Sequence, residues 1–267
     1  MRVPAFFYLL VTLLGALEPK AVPGGLATVS IALPFSAKPP VVFADTHRIP
    51  MIYDHSQGAW TGLVPIPLDY DQKSMEIRTV NHVITSIDIE PHHYPQQHIT
   101  IKKSQYVEPD TKQLERIQDE AVLLKTAIRR FRSGITPLLR WKAPVDGPVS
   151  GVFGTQRFFN GQPRSPHRGI DFAVGAGTQI NAPAPGKVAL SETLYFCGNM
   201  LLIDHGQGIY SYYCHLQKPL VAKGDQVKQG EPVGLVGSSG RATGPHLHWG
   251  VSVGGVWVDP GLFLDAF

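Results

Sequence analysis

The chain has 267 residues, 43% of them apolar, and a formal net charge of +3. That is enough chain for one large domain or two smaller ones with an ordinary buried core. A charge this close to balance, with no basic run, excludes nucleic acid as an expected partner.

The first segment reads as an export signal. Arg2 supplies a positive start, and Val3 to Leu17 is almost unbroken apolar sequence. The run falls short of the roughly 20 residues of a spanning helix. The small residues Gly15 and Ala16 mark a cleavage region, so residues 1–17 are expected to be a signal peptide, with a retained anchor as the alternative. The expected location is the periplasm or cell envelope, with no stable membrane anchor after cleavage. No cysteine follows the apolar run, which argues against a lipid-modified terminus.

Residues 24–105 carry short Val-, Ile- and Thr-rich runs: Ala27 to Leu33, Val41 to Phe43, Trp60 to Val64, Met75 to Val80, Val83 to Ile89 and His98 to Lys102. Pro and Gly punctuate them, which predicts a small all-β domain. His47, His55, His82, His92, His93 and His98 lie here without ligand spacing and read as surface or structural residues. One helix follows at 110–133. Leu114, Ile117, Ala121, Leu124, Ile128 and Phe131 form one apolar stripe, Asp110 and Gln113 make a capping box, and Ser133-Gly134 with Pro137 gives the stop. The stripe is too short for a coiled coil and is expected to pack on a neighbouring domain as a connector.

From residue 144 to 262 glycines become dense and short strands alternate with turns, as in Gly186 to Leu190, Met200 to Asp204, Tyr210 to His215, Pro232 to Val236 and His246 to Val253. The expected fold is therefore mainly β: a small N-terminal all-β domain, one connecting amphipathic helix and a C-terminal β-sheet domain.

The chemistry lies in the last of these. His167 and Asp171 are four apart, and His246 and His248 two apart, so on extended backbone each pair faces one side. His215 approaches from another strand. Three histidines and a carboxylate converging on an open sheet face suit zinc, which takes imidazole nitrogen and carboxylate oxygen and keeps one position for water in catalytic sites. Spacing alone leaves open which of His246 and His248 is the ligand.

The conjunction resembles the M23 metallopeptidases, which include lysostaphin-like and LytM-like cell-wall hydrolases. The resemblance spans about 144 to 262 and rests on Val152-Phe153-Gly154, Pro166-His167-Arg168-Gly169-Ile170-Asp171, Ala182 to Val188, Gly198-Asn199, Ile203 to Gly206 and, above all, Gly240-Arg241-Ala242-Thr243-Gly244-Pro245-His246-Leu247-His248-Trp249. It implies His167, Asp171 and His248 as ligands of one Zn2+. His215 and His246 become the unliganded catalytic histidines. Asn199 is assigned to substrate binding or ordering of the site, with a purely structural role, since Gly-Asn also makes turns, as its equal alternative. The implied activity is metal-assisted hydrolysis of the peptide stems of peptidoglycan. The alternatives are a non-catalytic activator of a cell-wall amidase and a peptidase of exported proteins. The upstream region, which shows no chemistry of its own, is expected to cover the cleft and keep the enzyme latent, as upstream segments do in some relatives.

Other residues carry plainer expectations. His205 sits in Asp204-His205-Gly206-Gln207-Gly208 and reads as a turn residue. Phe158, Phe159 and Asn160 line a groove or pack, with nothing to choose between the two. The Gly-rich run Lys223 to Pro232 is similar to carrier-domain hairpins but lacks their modifiable lysine, so shared turn chemistry explains it. If Gly206-Gln207 centres a hairpin, Cys197 and Cys214 are diagonal neighbours, roughly 7–8 Å apart at Cβ. That exceeds disulfide reach, so two thiols are expected.

Overall fold

The structure, a computed structural model, describes residues 19–100 and 104–264. The expected signal at 1–17 lies outside them. The fold is mainly β, as the alternating patterns imply, and among the described residues no helix is long and apolar enough to cross a membrane.

The N-terminal region forms strands β1 (Leu26–Ile31), β2 (Phe43–Ala44), β3 (His47–Arg48), β4 (Met51–Asp54), β5 (Ala59–Pro65), β6 (Ser74–Arg78), β7 (Val83–Asp88) and β8 (Gln96–Ile99). Two small sheets, ordered β1-β5-β4 and β3-β2-β6-β7, enclose Val42, Ile49, Met51, Trp60, Val64, Met75 and Ile77. Strand β4 is too short to show a period of its own, and the sequence reading passes over it. The histidines of this region are structural where they are engaged. His47 Nδ1 meets the Gly254 carbonyl at 3.2 Å, and the His98 ring stacks on Phe158.

Helix α1 (Thr111–Ile128) opens with the expected capping box. The Asp110 side chain accepts from Gln113 N, and the Gln113 side chain accepts from Asp110 N. It stops one turn before the expected end because the next backbone groups are claimed from outside the helix. Tyr210 donates its hydroxyl to the Arg130 carbonyl, Gln207 N donates to the Arg132 carbonyl, and the Arg132 guanidinium pairs with Asp204.

The C-terminal region forms β9 (Val149–Gly151), β10 (Gln156–Phe159), β11 (Gln162–Pro163), β12 (Ile170–Phe172), β13 (Gln179–Asn181), β14 (Gly186–Leu194), β15 (Gly198–Gly206), β16 (Ile209–Pro219), β17 (Gln226–Val227), β18 (Pro232–Val236), β19 (Leu247–Val253) and β20 (Val256–Val258). Its main sheet runs β17-β14-β15-β16-β19-β12-β9. β18 pairs with β13 and β16, and β20 pairs with β19.

Alternation along the strands gives this sheet two different faces. Leu201, Ile203, Tyr213, Leu247, Trp249 and Val251 point into one core, which also takes Leu26, Ile52 and Leu63 from the N-terminal region. Met200, Leu202, Tyr210 and Cys214 point the other way and pack against Ala127 and Ile128 of α1. The helix is thus a connector that docks on the sheet, as expected. The β1-β5-β4 sheet of the N-terminal region backs the opposite face through Leu26, Ile52 and Leu63. From that region β8 comes round to the front, pairing in parallel with β10 so that Gln97 lies opposite Arg157.

Candidate metal centre and groove

Three strands bring the sequence motifs together. Asp171 is the middle residue of β12, and antiparallel pairing sets it opposite His248 at the start of β19. β16 sets Cys214 opposite His248 on the other side, so the next residue, His215, reaches the same place. His167 stands in the loop before β12 rather than on a strand. Two backbone bonds hold that loop, His167 N to Thr155 O and Gly154 N to His167 O.

His167 Nε2, Asp171 Oδ1 and His248 Nδ1 lie 2.8–3.0 Å from one another. The Val152 carbonyl, 2.9 Å from His167 Nδ1, can only accept. Nδ1 therefore carries the proton and Nε2 turns its lone pair inward. Burial, opposed by the Asp171 hydrogen bond, lowers the His248 pKa to about 4, which keeps this ring neutral at pH 7. Burial works against ionisation of Asp171. Contacts with His167 and His248 outweigh it and hold the carboxyl well below the usual carboxylate range. Two neutral imidazoles and a carboxylate thus crowd their acceptor atoms together, an arrangement that a shared cation resolves. This is the one His/Cys/Asp/Glu cluster of metal-binding size among the described residues. Its donor chemistry fits zinc.

Two further histidines face the same groove with their tautomers fixed. His215 Nδ1 donates to Ser239 O at 2.8 Å and His246 Nδ1 to Gly244 O at 2.9 Å, leaving both Nε2 atoms free. The two rings are 4.7 Å apart, and His215 is 6.3 Å from the His248 ring. Burial, then the neighbouring His246 and His248, lowers the His215 pKa to about 3, so it too is neutral at pH 7. His215 sits at φ 62 in the left-handed region, where β16 slips register against β15. A non-glycine residue there is strained, a condition that concentrates at functional sites.

The structure also places residues that the sequence reading did not single out. Arg157 on β10 pairs with Asp171 Oδ2 at 2.5 Å, fixing the carboxylate from the side away from the two histidines. An arginine in a half-buried strand just ahead of an acid-bearing motif was the available signal. The groove, about 530 Å³, is lined on its charged side by Arg157, Arg168 and Arg241, with Asp171 its one lining carboxylate. Phe159 lines it, which settles that residue as groove wall, whereas Phe158 packs on His98.

Two expectations change, while the Asn199 side chain is hydrogen-bonded within the sheet. Its amide donates to the carbonyls of Leu216 and Gln217, and its Oδ1 accepts from Thr193, so it ties β15 to the segment after His215. His205 is a core residue of β15, not a turn residue. It is 2% exposed, donates from Nδ1 to Pro185 O, accepts at Nε2 from Ser211, and its pKa is lowered to about 4 by burial. Cys197 and Cys214 are not thiols but a disulfide, with Cα atoms 4.9 Å apart. The register arithmetic put Cys197 on a strand. It stands in the turn between β14 and β15, which folds over β16.

Comparison with known proteins agrees with this geometry. The description of peptidase family M23 matches residues 165–260, and that of the peptidase family M23 N-terminal domain matches residues 19–93. A crystal structure described as a peptidase M23 from Pseudomonas aeruginosa is 35% identical, covers 95% of this chain and 99% of its own, and superposes with a TM-score of 0.76. The peptidoglycan DD-endopeptidase ShyA of Vibrio cholerae is 39% identical over 115 residues, 42% of this chain and 27% of that protein. The DD-carboxypeptidase/endopeptidase Mpg of Neisseria meningitidis is 40% identical over 94 residues, 35% of this chain and 22% of that protein. The chain thus spans about a quarter of the length of these two curated relatives.

Proposed function

Since the chain belongs to peptidase family M23, we propose that it is a zinc-dependent endopeptidase of the cell envelope that hydrolyses peptide crosslinks of peptidoglycan. One observation carries the reading: three mutually adjacent donor atoms and two free imidazole edges open into one groove. The similarity to peptidoglycan DD-endopeptidases supports the choice of substrate.

His167 Nε2, Asp171 Oδ1 and His248 Nδ1 would hold zinc, which supplies Lewis acidity and lowers the pKa of water toward 7. The protein's own groups do the rest. Arg157 holds the Asp171 carboxylate in place. His215, neutral by burial and anchored through Nδ1, presents Nε2 to take a proton from the attacking water. That proton then passes to the leaving amine nitrogen, with the free Nε2 of His246, beside His215, placed to relay it. Asn199, spent on β16 carbonyls, keeps the His215 segment in register and so acts by positioning.

The test is hydrolysis of purified sacculi, with metal content measured on the same sample and His248→Ala alongside. About one zinc per chain and loss of crosslinked peptides with wild type alone is the expected result. Zinc without hydrolysis would assign the site to another peptide substrate. A protein that binds no zinc would be an activator of a separate amidase.

A further inference from the structure

Arg241 stands in the loop that carries both the Ser239 carbonyl, which orients His215, and His246 itself. Its backbone N donates to Phe196 O at 2.8 Å. The preceding Gly240, at φ 69, packs so closely that a Cβ there would fall 2.4 Å from Gly198 N and 2.6 Å from Phe196 O. The loop is therefore pinned against the β14–β15 turn, and the start of the Arg241 side chain is fixed. The guanidinium lies 4.2 Å from the Phe196 ring centroid and 4.7 Å from that of Phe159, at the wall of the groove. No carboxylate pairs with it among the described residues.

Its electrostatic setting is unfavourable in the protein alone. Burial, then the neighbouring Arg157 and Arg164, lowers its pKa to about 10, which leaves it charged at pH 7 without a counter-ion. The one carboxylate lining the groove, Asp171, is already committed to Arg157 and the candidate ligand set. An unpaired, partly desolvated guanidinium held rigid on aromatic walls presents a planar fork of donors that matches a carboxylate.

We propose that Arg241 is a specificity-determining residue that forks onto a free carboxylate of the bound peptide, so that the groove selects peptides with an ionised carboxylate near the scissile bond over their amidated counterparts. This rests on the peptidase reading above. The carboxylate could be the C-terminal group of a stem or a side-chain group, and the shared chemistry is the same.

The experiment uses the full chain with zinc and three forms of one crosslinked peptide: native, C-terminally amidated, and side-chain amidated. Hydrolysis and direct binding are both measured for wild type, Arg241→Gln and Arg241→Lys. One of the two amidations should lower wild-type kcat/KM by about tenfold or more, mainly through KM, as expected for a uniform binding contact. Which amidation does so names the source. Arg241→Gln should lose about the same factor on the native peptide and show no discrimination. Arg241→Lys, which keeps charge but not the fork, should fall between them. Equal cleavage of all three peptides by wild type, or unchanged discrimination in a folded Arg241→Gln, would overturn the proposal. If wild type cleaves none of them, the peptidase reading fails instead. The binding data then decide on Arg241 alone: carboxylate-dependent binding lost in Arg241→Gln supports it, and binding indifferent to amidation refutes it.

Discussion

Gly169 lies between His167 and Asp171 in the chain and against His248 in space. A Cβ there would stand 2.8 Å from His248 Cε1, 3.0 Å from Nε2 and 2.4 Å from the Trp249 carbonyl oxygen. No side chain fits, so the Arg168-Gly169-Ile170 stretch can approach β19 closely enough to face Asp171 with His248 only if the middle residue is glycine. Gly169→Ala should cost about 1–3 kcal/mol in stability and weaken zinc binding by about tenfold or more through displacement of the His248 ring. Chelator competition on the folded variant, beside a thermal melt, checks both; unchanged zinc affinity would mean that this close approach does not set the ligand geometry. Residue patterns made part of this site legible. His-x-x-x-Asp and His-x-His are local; the two-residue period of extended backbone serves His246 and His248, whereas a loop held by two backbone bonds carries His167 to Asp171. Arg157 was not legible in that way, because its partner Asp171 is met through the β9–β12 edge of the sheet, not through spacing. Nor was the burial of His205, whose neighbours Asp204 and Gly206 mark a turn while its ring goes into the core.

At the scale of elements, the turn between β14 and β15 joins structure to chemistry. It holds Cys197, its backbone receives the Arg241 loop, and through the disulfide it is tied to Cys214, next to His215. The link closes a loop with a sequence separation of 17. On chain-entropy grounds, replacing both cysteines with serine should lower stability by about 3 kcal/mol. Denaturant unfolding of the variant beside oxidised and reduced wild type checks this. The reduced form should match the variant, and equal stability of all three would show that the link does not constrain the unfolded chain. Secondary structure was legible where local chemistry decides it. Asp110 and Gln113 cap α1 as their side chains dictate, and Pro232–Val236 is a strand at its expected bounds. The end of α1 was not legible, because Tyr210, Gln207 and Asp204 remove Arg130 and Arg132 from the helix, and all three lie about 75 residues further on.

For the whole molecule, the two β-rich regions are joined by packing as well as by the chain. Leu26, Ile52 and Leu63 share a core with Trp249 and Val251, and β8 supplies Gln97 and Ile99 to the groove wall. Removing residues before Ala143 would uncover that core and strip β10, which carries Arg157, of its parallel partner. A chain beginning at Ala143 should therefore melt at a lower temperature and cleave sacculi more slowly than the full chain; faster cleavage would support the idea of a latent enzyme held shut by its own N-terminal region. The sequence could show that two β regions flank a helix, but not which face each would cover, since that depends on contacts between residues about 200 positions apart. The main sheet packs the N-terminal region on one face, and its other face carries both α1 and the candidate site. Variation in the exposed loops of the reactive side can then accumulate without reworking the face packed on the N-terminal region, so one scaffold is able to supply many descendants that differ in what they cut while folding alike.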